Sequence, residues 1–169
     1  MIRFLVIITL TCILTGCSHT YYVVRHAEKA AAATGTMMTN DPPLTEAGQQ
    51  RADALRDGLL HAGIKYIYST NTTRTKYTAE PLRARLGLTT ILYNPAQPDS
   101  AFIATLKSLH RSALIVGHSN TVDDIVNKLC GSIKVAGDLS DNEYDNLFVI
   151  KYKQFFGTRI HFEKRKYGR

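Results

Sequence analysis

The sequence lacks the glycine-rich motifs that bind nucleotides, and its histidines show no metal-ligand spacing. Neither G-x-G-x-x-G nor G-x-x-x-x-G-K-S/T occurs anywhere in the 169 residues, so we expect no nucleotide cofactor. Six histidines are present, but His19, His61, His110 and His161 have no neighbouring ligands at the spacing that zinc sites use. We therefore expect neither a cofactor nor a metal ion.

Long apolar runs are also absent, except for one short run at the N-terminus. Residues 4–14 form an apolar run after a basic start, and the run closes with small residues before Cys17. Such a run is too short to span a bilayer comfortably and is typical of a secretory signal. It resembles a bacterial lipobox, in which the cysteine is acylated and becomes the mature N-terminus. An uncleaved N-terminal anchor or a buried strand is the alternative.

This interpretation divides the chain into a signal peptide at 1–16 and one domain at 17–169, a size that fits a single core. The protein would be exported to the bacterial envelope and tethered by lipid on Cys17, on the periplasmic side of the outer membrane in a Gram-negative cell. Cys12 would leave with the signal, so Cys130 would be the remaining thiol. No internal disulfide is then expected.

Acidic residues are fewer than basic ones, which gives a net charge of +7 and a pI of about 9.4. Much of the excess lies in Lys151, Lys153, 164–166 and Arg169, and we expect the last of these charges to form a solvated tail. An exported lipoprotein meets little nucleic acid, so we expect no nucleic-acid partner. Anionic lipid headgroups are the better match for this charge, and simple solubility is the alternative.

Strand and helix patterns alternate along most of the chain. Strands are predicted at 20–25, 66–68, 90–92 and 113–116, each followed by a helical pattern, and strands at 147–152 and 158–162 form a hairpin. Thr45 is a plausible N-cap for the first helix, and Gly87 ends the second. This order predicts a three-layer α/β/α sandwich with a largely parallel central sheet and a C-terminal hairpin.

Two histidines stand where predicted parallel strands end. Arg25 and His26 follow the first strand, and His118 follows the fourth. An open α/β sheet binds ligands outside the carboxyl ends of its strands, so these residues are expected to converge there. An arginine beside paired imidazoles indicates a site for phosphate.

The sequence resembles the histidine phosphatase superfamily, also called the phosphoglycerate-mutase-like group. Four segments carry the resemblance in order: RHAEK at 25–29, PLTEAGQ at 43–49, the stretch from Ser69 to Leu82 with Arg74, and VGHSNT at 116–121. They cover most of the mature chain. Ala27 stands where many members have glycine, which keeps a small residue at that position.

The resemblance implies a phosphatase that acts on small phosphorylated substrates, either phosphomonoesters or phosphoramidates. His26 would be the nucleophile that takes the phosphoryl group, Arg25 and Arg74 would bind its oxygens, and His118 would donate a hydrogen bond to it. Ser119 would either bind phosphate or cap the helix that follows. A neutral His26 needs one ring nitrogen held as a donor, for which a backbone carbonyl is the expected partner.

The proton donor is the main departure from the family pattern. Members of one type carry Asp directly after the second histidine, where this chain has Ser119, and members of another type carry Glu in an insertion that is short here. Asp99 and Glu28 are the nearest candidates, although Asp99 also fits a helix N-cap and Glu28 could orient a motif residue. Without a donor, the enzyme should prefer substrates with good leaving groups.

Two other functions are compatible with parts of the sequence. The first is an envelope lipoprotein that binds anions in a catalytically weak phosphatase pocket. The second is an α/β-hydrolase-type serine esterase, with Ser119 as nucleophile, Asp138 or Asp145, and His161. The esterase hypothesis leaves Arg25, His26 and Arg74 without a role.

Overall fold

The computed structural model describes residues 18–31, 41–95, 100–154 and 157–168. The predicted signal segment, Cys17, Asp99 and Arg169 lie outside these ranges. None of the helices within them combines the length and the apolar character needed to span a bilayer. The strands are β1 (Ser18–Arg25), β2 (Tyr66–Ser69), β3 (Thr90–Leu92), β4 (Ala113–Gly117), β5 (Asn146–Gln154) and β6 (Thr158–Lys166). The helices are α1 (Glu46–Leu59), α2 (Thr73–Leu86), α3 (Ser100–Ser108) and α4 (Ser119–Cys130).

The strands form one six-stranded sheet in the order β3-β2-β4-β1-β5-β6. Strands β3, β2, β4 and β1 are parallel, whereas β5 is antiparallel to both β1 and β6. The predicted largely parallel sheet with a C-terminal hairpin is confirmed. The two strands that precede the site histidines, β1 and β4, are neighbours at the centre of the sheet, with Arg25 level with Gly117.

Both faces of the sheet are covered by helices, which gives the predicted three layers. On one face, Leu55 of α1 and Leu82 of α2 pack with Val24 and Val116. On the other face, Leu106 of α3 and Ile125 of α4 pack with strand residues such as Ile115. Central strands buried on both sides explain the near-continuous apolar runs of β1 and β4.

The final strand is longer than the sequence pattern predicts, and the expected solvated tail is wrong for residues 164–166. β6 continues through Lys166, which is paired with Asn146 of β5. The charged side chains find partners there: Arg165 contacts Glu163, and Lys166 contacts Asp145. The ammonium of Lys164 lies 5.7 Å from the centre of the Phe148 ring. The cations at 164–166 therefore belong to a paired strand, whereas composition alone predicts a solvated tail for them.

The start of α1 is positioned by a close backbone approach. Thr45 caps the helix as predicted, since its hydroxyl accepts a hydrogen bond from the Gly48 amide at 3.1 Å. A β-carbon on Gly48 would lie 2.3 Å from the backbone oxygen of Glu28. The glycine therefore allows α1 to pack against the segment that follows His26.

We expect Gly48→Ala to lower the free energy of unfolding by about 1–3 kcal/mol or more. The added β-carbon would clash with backbone atoms of Glu28, and no side-chain rotation can relieve that contact. Gly58→Ala is the matched control: it lies in the same helix and a β-carbon there meets nothing within 4 Å. That substitution should raise the free energy of unfolding by up to about 1 kcal/mol through helix propensity. Urea denaturation measures both, and equal effects would contradict the assigned contact.

Candidate active site

A cavity of about 430 Å³ opens at the carboxyl ends of β1 and β4. The His26 amide donates to the Gly117 carbonyl at 2.9 Å, which joins the two strand ends directly. The predicted convergence of the two histidine segments is therefore observed. The described residues that line the cavity are Arg25, His26, Lys29, Thr72, Arg74, Pro95, His118, Ser119, Asn120, Thr121 and Asp141.

The His26 ring is buried and held in one orientation. Its Nδ1 lies 2.8 Å from the Ala27 carbonyl oxygen, the backbone partner expected for a neutral imidazole. A carbonyl only accepts, so Nδ1 carries the hydrogen and the lone pair is on Nε2. Burial lowers the pKa of His26 to about 3, and the charge of Arg25 adds to this effect, whereas the carbonyl opposes it. The ring is therefore neutral, as a nucleophile requires, across the physiological pH range.

Ala27 connects the His26 segment to α2. Its side chain is fully buried, and its amide donates to the Thr78 hydroxyl at 2.9 Å. That hydroxyl in turn donates to the Arg74 carbonyl at 2.7 Å. The small residue expected at this position thus permits close packing, and the hydrogen-bond chain fixes His26 relative to the helix that carries Arg74.

The second histidine, His118, lies beside the first, with ring centroids 5.5 Å apart. Its Nδ1 is 3.4 Å from Nη2 of Arg74, and its Nε2 is 2.9 Å from the Thr70 hydroxyl. A guanidinium only donates, so Nδ1 accepts and the hydrogen of neutral His118 is on Nε2. Burial lowers the pKa of His118 to about 4, and the charges of Arg74 and Arg25 contribute.

Arg25 is held by the loop between α4 and β5. Its Nη1 donates to the Ser140 carbonyl at 2.7 Å, and its Nη2 lies 3.8 Å from an oxygen of Asp141. The guanidinium carbon is 4.3 Å from the centre of the Tyr144 ring, a cation–π arrangement. The sequence does not predict these contacts, because residue spacing carries no signal for a stacking partner that is distant along the chain.

Arg74 is positioned by a residue that the sequence interpretation missed. Asp41 accepts hydrogen bonds from the Thr73 amide at 2.7 and 2.8 Å and lies 3.6 Å from Nη1 of Arg74. Burial acts to raise the pKa of Asp41, but the hydrogen bonds from Thr73 and the charge of Arg74 hold it below its ordinary value. The carboxylate therefore caps α2 and orients Arg74. An acidic residue before the PLTEAG segment is the one signal that could have suggested it.

Ser119 lines the cavity, as expected for a phosphate-binding residue, but it does not cap α4. The helix begins at Ser119 itself, and His118 is the N-cap. The His118 amide donates to the Thr121 hydroxyl at 3.0 Å, so the backbone amide just before the helix has a hydrogen-bond acceptor. The capping alternative for Ser119 is therefore wrong. Its hydroxyl is on the first turn of α4, whose free amides favour an anion.

The proton-donor hypothesis for Glu28 is not supported by its surroundings. Its carboxylate receives three hydrogen bonds from Arg51, at 2.6 to 2.9 Å, and it does not line the cavity. Burial acts to raise the pKa of Glu28, but these hydrogen bonds hold it below its ordinary value. A bidentate ion pair keeps the group ionised, which is the opposite of what an acid catalyst needs. Asp99 lies outside the described residues, so its role stays a prediction.

The residues of the esterase alternative are not brought together. Ser119 follows the carboxyl end of β4, whereas His161 is paired with Lys151 near the opposite end of the sheet. Lys151 is itself level with Thr20 at the start of β1. A serine–histidine pair cannot form across the length of the sheet, so this alternative is wrong. Within the described ranges, no three His, Cys, Asp or Glu side chains cluster as metal ligands.

We expect the protein to lose stability as the pH falls below about 6.5. The unfolded chain protonates its histidines there, whereas the folded pKa values of His118 and His26 are about 4 and about 3. Unfolding therefore takes up protons throughout this window, and the free energy of unfolding decreases. Burial also lowers the pKa of His19, which acts in the same direction.

Denaturant titrations at several pH values measure this slope. His118→Asn should reduce it, whereas His61→Asn, at an exposed position, should leave it unchanged. Sulfate, whose charge is constant over this range, should stabilise the native protein more at acidic pH, because it favours the protonated His118. A stability that does not change with pH in this window would contradict the assigned burial.

Arg25, His26 and His118 at the ends of β1 and β4, with Arg74 of α2 beside them, form the kind of site that suits a phosphoryl group. The model of the histidine phosphatase superfamily, branch 1, matches residues 21–95 of this chain. The family expected from the sequence is confirmed, and with it a histidine-dependent phosphatase. None of the curated proteins compared matches the chain significantly.

Solved structures share this fold at low sequence identity. The protein histidine phosphatase SixA in complex with tungstate is 17% identical, with a TM-score of 0.66 over 87% of this chain and 96% of that one. The mycobacterial glucosyl-3-phosphoglycerate phosphatase is 15% identical, with a TM-score of 0.61 over 86% and 97%. YhfR of Bacillus stearothermophilus is 18% identical, with a TM-score of 0.58 over 85% and 94%. These similarities confirm the fold over most of the chain.

Proposed function

We propose that the protein hydrolyses phosphoramidates or phosphomonoesters with good leaving groups, through a covalent phosphohistidine on His26. One observation carries the proposal: the His26 ring is neutral, fixed through Nδ1 at the Ala27 carbonyl, and lines a cavity with both guanidiniums. Phosphoryl transfer requires mainly an in-line geometry and neutralised equatorial oxygens. Arg25 and Arg74 supply the charge, and the fixed ring supplies the geometry.

The reaction has two displacements. In the first, Nε2 of His26 forms a bond to phosphorus, and the bond between phosphorus and the leaving oxygen or nitrogen breaks. In the second, water attacks phosphorus, the nitrogen–phosphorus bond breaks, and His26 recovers its electron pair as phosphate departs. The bound dianion favours protonation of His118, so that Nδ1 becomes a hydrogen-bond donor to a phosphoryl oxygen.

The surroundings of the cavity support substrates whose leaving group needs little protonation. Glu28 is held by Arg51, and Asp41 is held by Thr73 and Arg74. Among the described residues that line the cavity, Asp141 is the acidic one, and its side chain is fully exposed beside Arg25. Phosphoramidates leave as amines that are protonated before cleavage, and aryl phosphates leave as stabilised anions. The similarity to a protein histidine phosphatase adds support for the phosphoramidate class.

Steady-state kinetics on three substrates test this proposal: phosphohistidine, p-nitrophenyl phosphate and glycerol 3-phosphate. We expect kcat/KM for the first two to exceed that for the alkyl ester by about 100-fold or more, the usual contribution of general acid catalysis. Asp141→Asn should not change this ratio. Similar rates on all three substrates would show that a proton donor operates, and the proposed substrate class would be wrong.

We also propose that the protein is exported and anchored by lipid on Cys17, on the periplasmic side of the outer membrane in a Gram-negative host. The support is the sequence: a basic start, an apolar run at 4–14 and small residues before Cys17. Mass spectrometry of the N-terminal peptide of membrane-extracted protein should find a diacylglyceryl group on Cys17. Cys17→Ser should abolish the modification and the membrane fraction. An unmodified N-terminus at Met1 would overturn the proposal.

A further inference from the structure

Basic side chains from the sheet and from the helices on both of its faces lie at the end of the molecule opposite the cavity. Strand β1 starts there at Ser18, which is level with Lys153 of β5, and Lys153 is paired with Arg159 of β6. The four helices connect strand ends near the cavity back to this end, and each has a basic residue in its last turn. We call this surface the basal face. Its exposed cations are Lys65, Lys107, Arg111, Lys134, Lys153 and Arg159.

The charge of the basal face is little offset by nearby carboxylates. Asp57 of α1 and Asp124 of α4 are paired with Arg56 and Lys128. Basic last turns are common because they complement the helix dipole. That rule does not account for Lys153 and Arg159, which lie on strands.

The cavity end of the molecule carries exposed carboxylates as well as cations. Asp41 lies beside α2, and Asp141 is exposed at the cavity mouth. Glu46 begins α1 at the same end and is exposed. Exposed cations also lie at this end, among them Lys29 and Lys76, and the cations at 164–166 face Glu143, Glu163 and Asp145. The cavity end is therefore mixed in charge, whereas the basal face is predominantly basic.

Two exposed apolar side chains lie among the basal cations. Ile133 is 80% exposed and follows the last residue of α4 by three positions. Ile160 is 40% exposed and is paired with Tyr152, which is itself level with His19 near the start of β1. Isoleucines flanked by lysine and arginine are typical of surfaces that contact the interface of a bilayer.

The position of the proposed anchor supplies an independent constraint. Cys17 directly precedes Ser18, the first residue of β1. A lipid on Cys17 would leave no linker between the acyl chains and the sheet. The start of β1, and the surface around it, would then lie at the level of the headgroups.

We propose that the basal face lies against an anionic phospholipid bilayer, with the cavity directed away from the membrane. The inference rests on the proposed lipid on Cys17. Acylation restrains one point, and the cations select one orientation because headgroup attraction decays within a Debye length of about 8–10 Å. The active site then faces soluble phosphorylated substrates rather than lipids.

Depth-dependent fluorescence quenching tests this orientation on the full-length, membrane-extracted protein in vesicles that contain a headgroup-nitroxide lipid. Bimane labels are placed by Ile133→Cys on the basal face and by Glu46→Cys at the cavity end, both with Cys130→Ser. In vesicles of phosphatidylcholine and phosphatidylglycerol, we expect the first label to be quenched at least about threefold more than the second. Lys153→Gln with Arg159→Gln, or vesicles of phosphatidylcholine alone, should reduce this ratio by half or more.

Equal quenching of the two labels would overturn the proposal, and so would a ratio that is independent of lipid charge and of the double substitution. An N-terminus without lipid on Cys17, found by mass spectrometry of the same sample, would also overturn it. Hydrolysis of p-nitrophenyl phosphate by each sample is measured in parallel. Because the labelled and substituted residues lie outside the cavity, this activity reports separately on the proposed chemistry of His26.

Discussion

Replacing His26 with asparagine is expected to abolish turnover, with kcat lowered by at least about 10⁴-fold, as when enzymes lose a covalent nucleophile. Asparagine keeps a polar side chain of similar reach but has no basic nitrogen to attack phosphorus. Acid quenching during turnover should trap phosphohistidine, which is acid-labile and stable in alkali, in the unchanged protein and not in the variant. Phosphate should still stabilise the variant against heat, since Arg25 and Arg74 are retained.

His61→Asn provides the matched control, because this histidine is exposed and does not line the cavity. Its kcat and its phosphoenzyme should be unchanged. Turnover by His26→Asn at near-normal rates would show that another residue is the nucleophile. An unchanged protein that binds phosphate but forms no intermediate and has no activity would instead favour the anion-binding alternative, for which the comparisons offer no support.

The second large effect is expected for Arg74→Gln. Loss of the guanidinium removes charge-assisted hydrogen bonds to the phosphoryl oxygens, which should cost about 2–4 kcal/mol, or roughly 30- to 1000-fold in kcat/KM. The same substitution should raise the pKa of His118, because the charge of Arg74 is one of the causes that lower it, after burial. A pH titration of the His118 ring by NMR measures this shift directly.

Arg83→Gln separates the role of Arg74 from a general effect of lost charge on α2. Arg83 lies in the same helix, where it pairs with Glu80 at the surface. Its substitution should change neither kcat/KM nor the titration of His118. If Arg74→Gln lowered activity without moving the pKa of His118, the contact at 3.4 Å between the two side chains would be wrong.

Local sequence patterns were sufficient to predict the fold and the convergence of the His26 and His118 segments at one edge of the sheet. The period-two and apolar runs located every strand, and Thr45 and Gly87 marked the helix ends that the structure shows. His26 and His118 converge because the carboxyl ends of parallel strands share one edge of a sheet, which follows from topology alone. Their partner across this edge, Arg74, entered only through the family resemblance.

What could not be predicted are contacts between residues distant in sequence and without a periodic signal. Tyr144 stacks on Arg25 from a loop more than one hundred positions away, and Asp41 orients Arg74 from a segment without regular structure. For Glu28, the sequence suggests a role that the contacts do not support. Its place in the motif suggests catalysis, but its carboxylate forms an ion pair with Arg51. The cations of β6 were assigned to a tail because composition does not show cross-strand pairing.

The hydrogen bond from the His26 amide to the Gly117 carbonyl affects how the enzyme loses activity on heating. It ties His26 to the two innermost strands, whose amides should exchange with deuterium only when the entire domain opens. Local fraying at the outer strands or at either terminus would leave His26 in place. Thermal inactivation should therefore coincide with global unfolding of the chain rather than precede it.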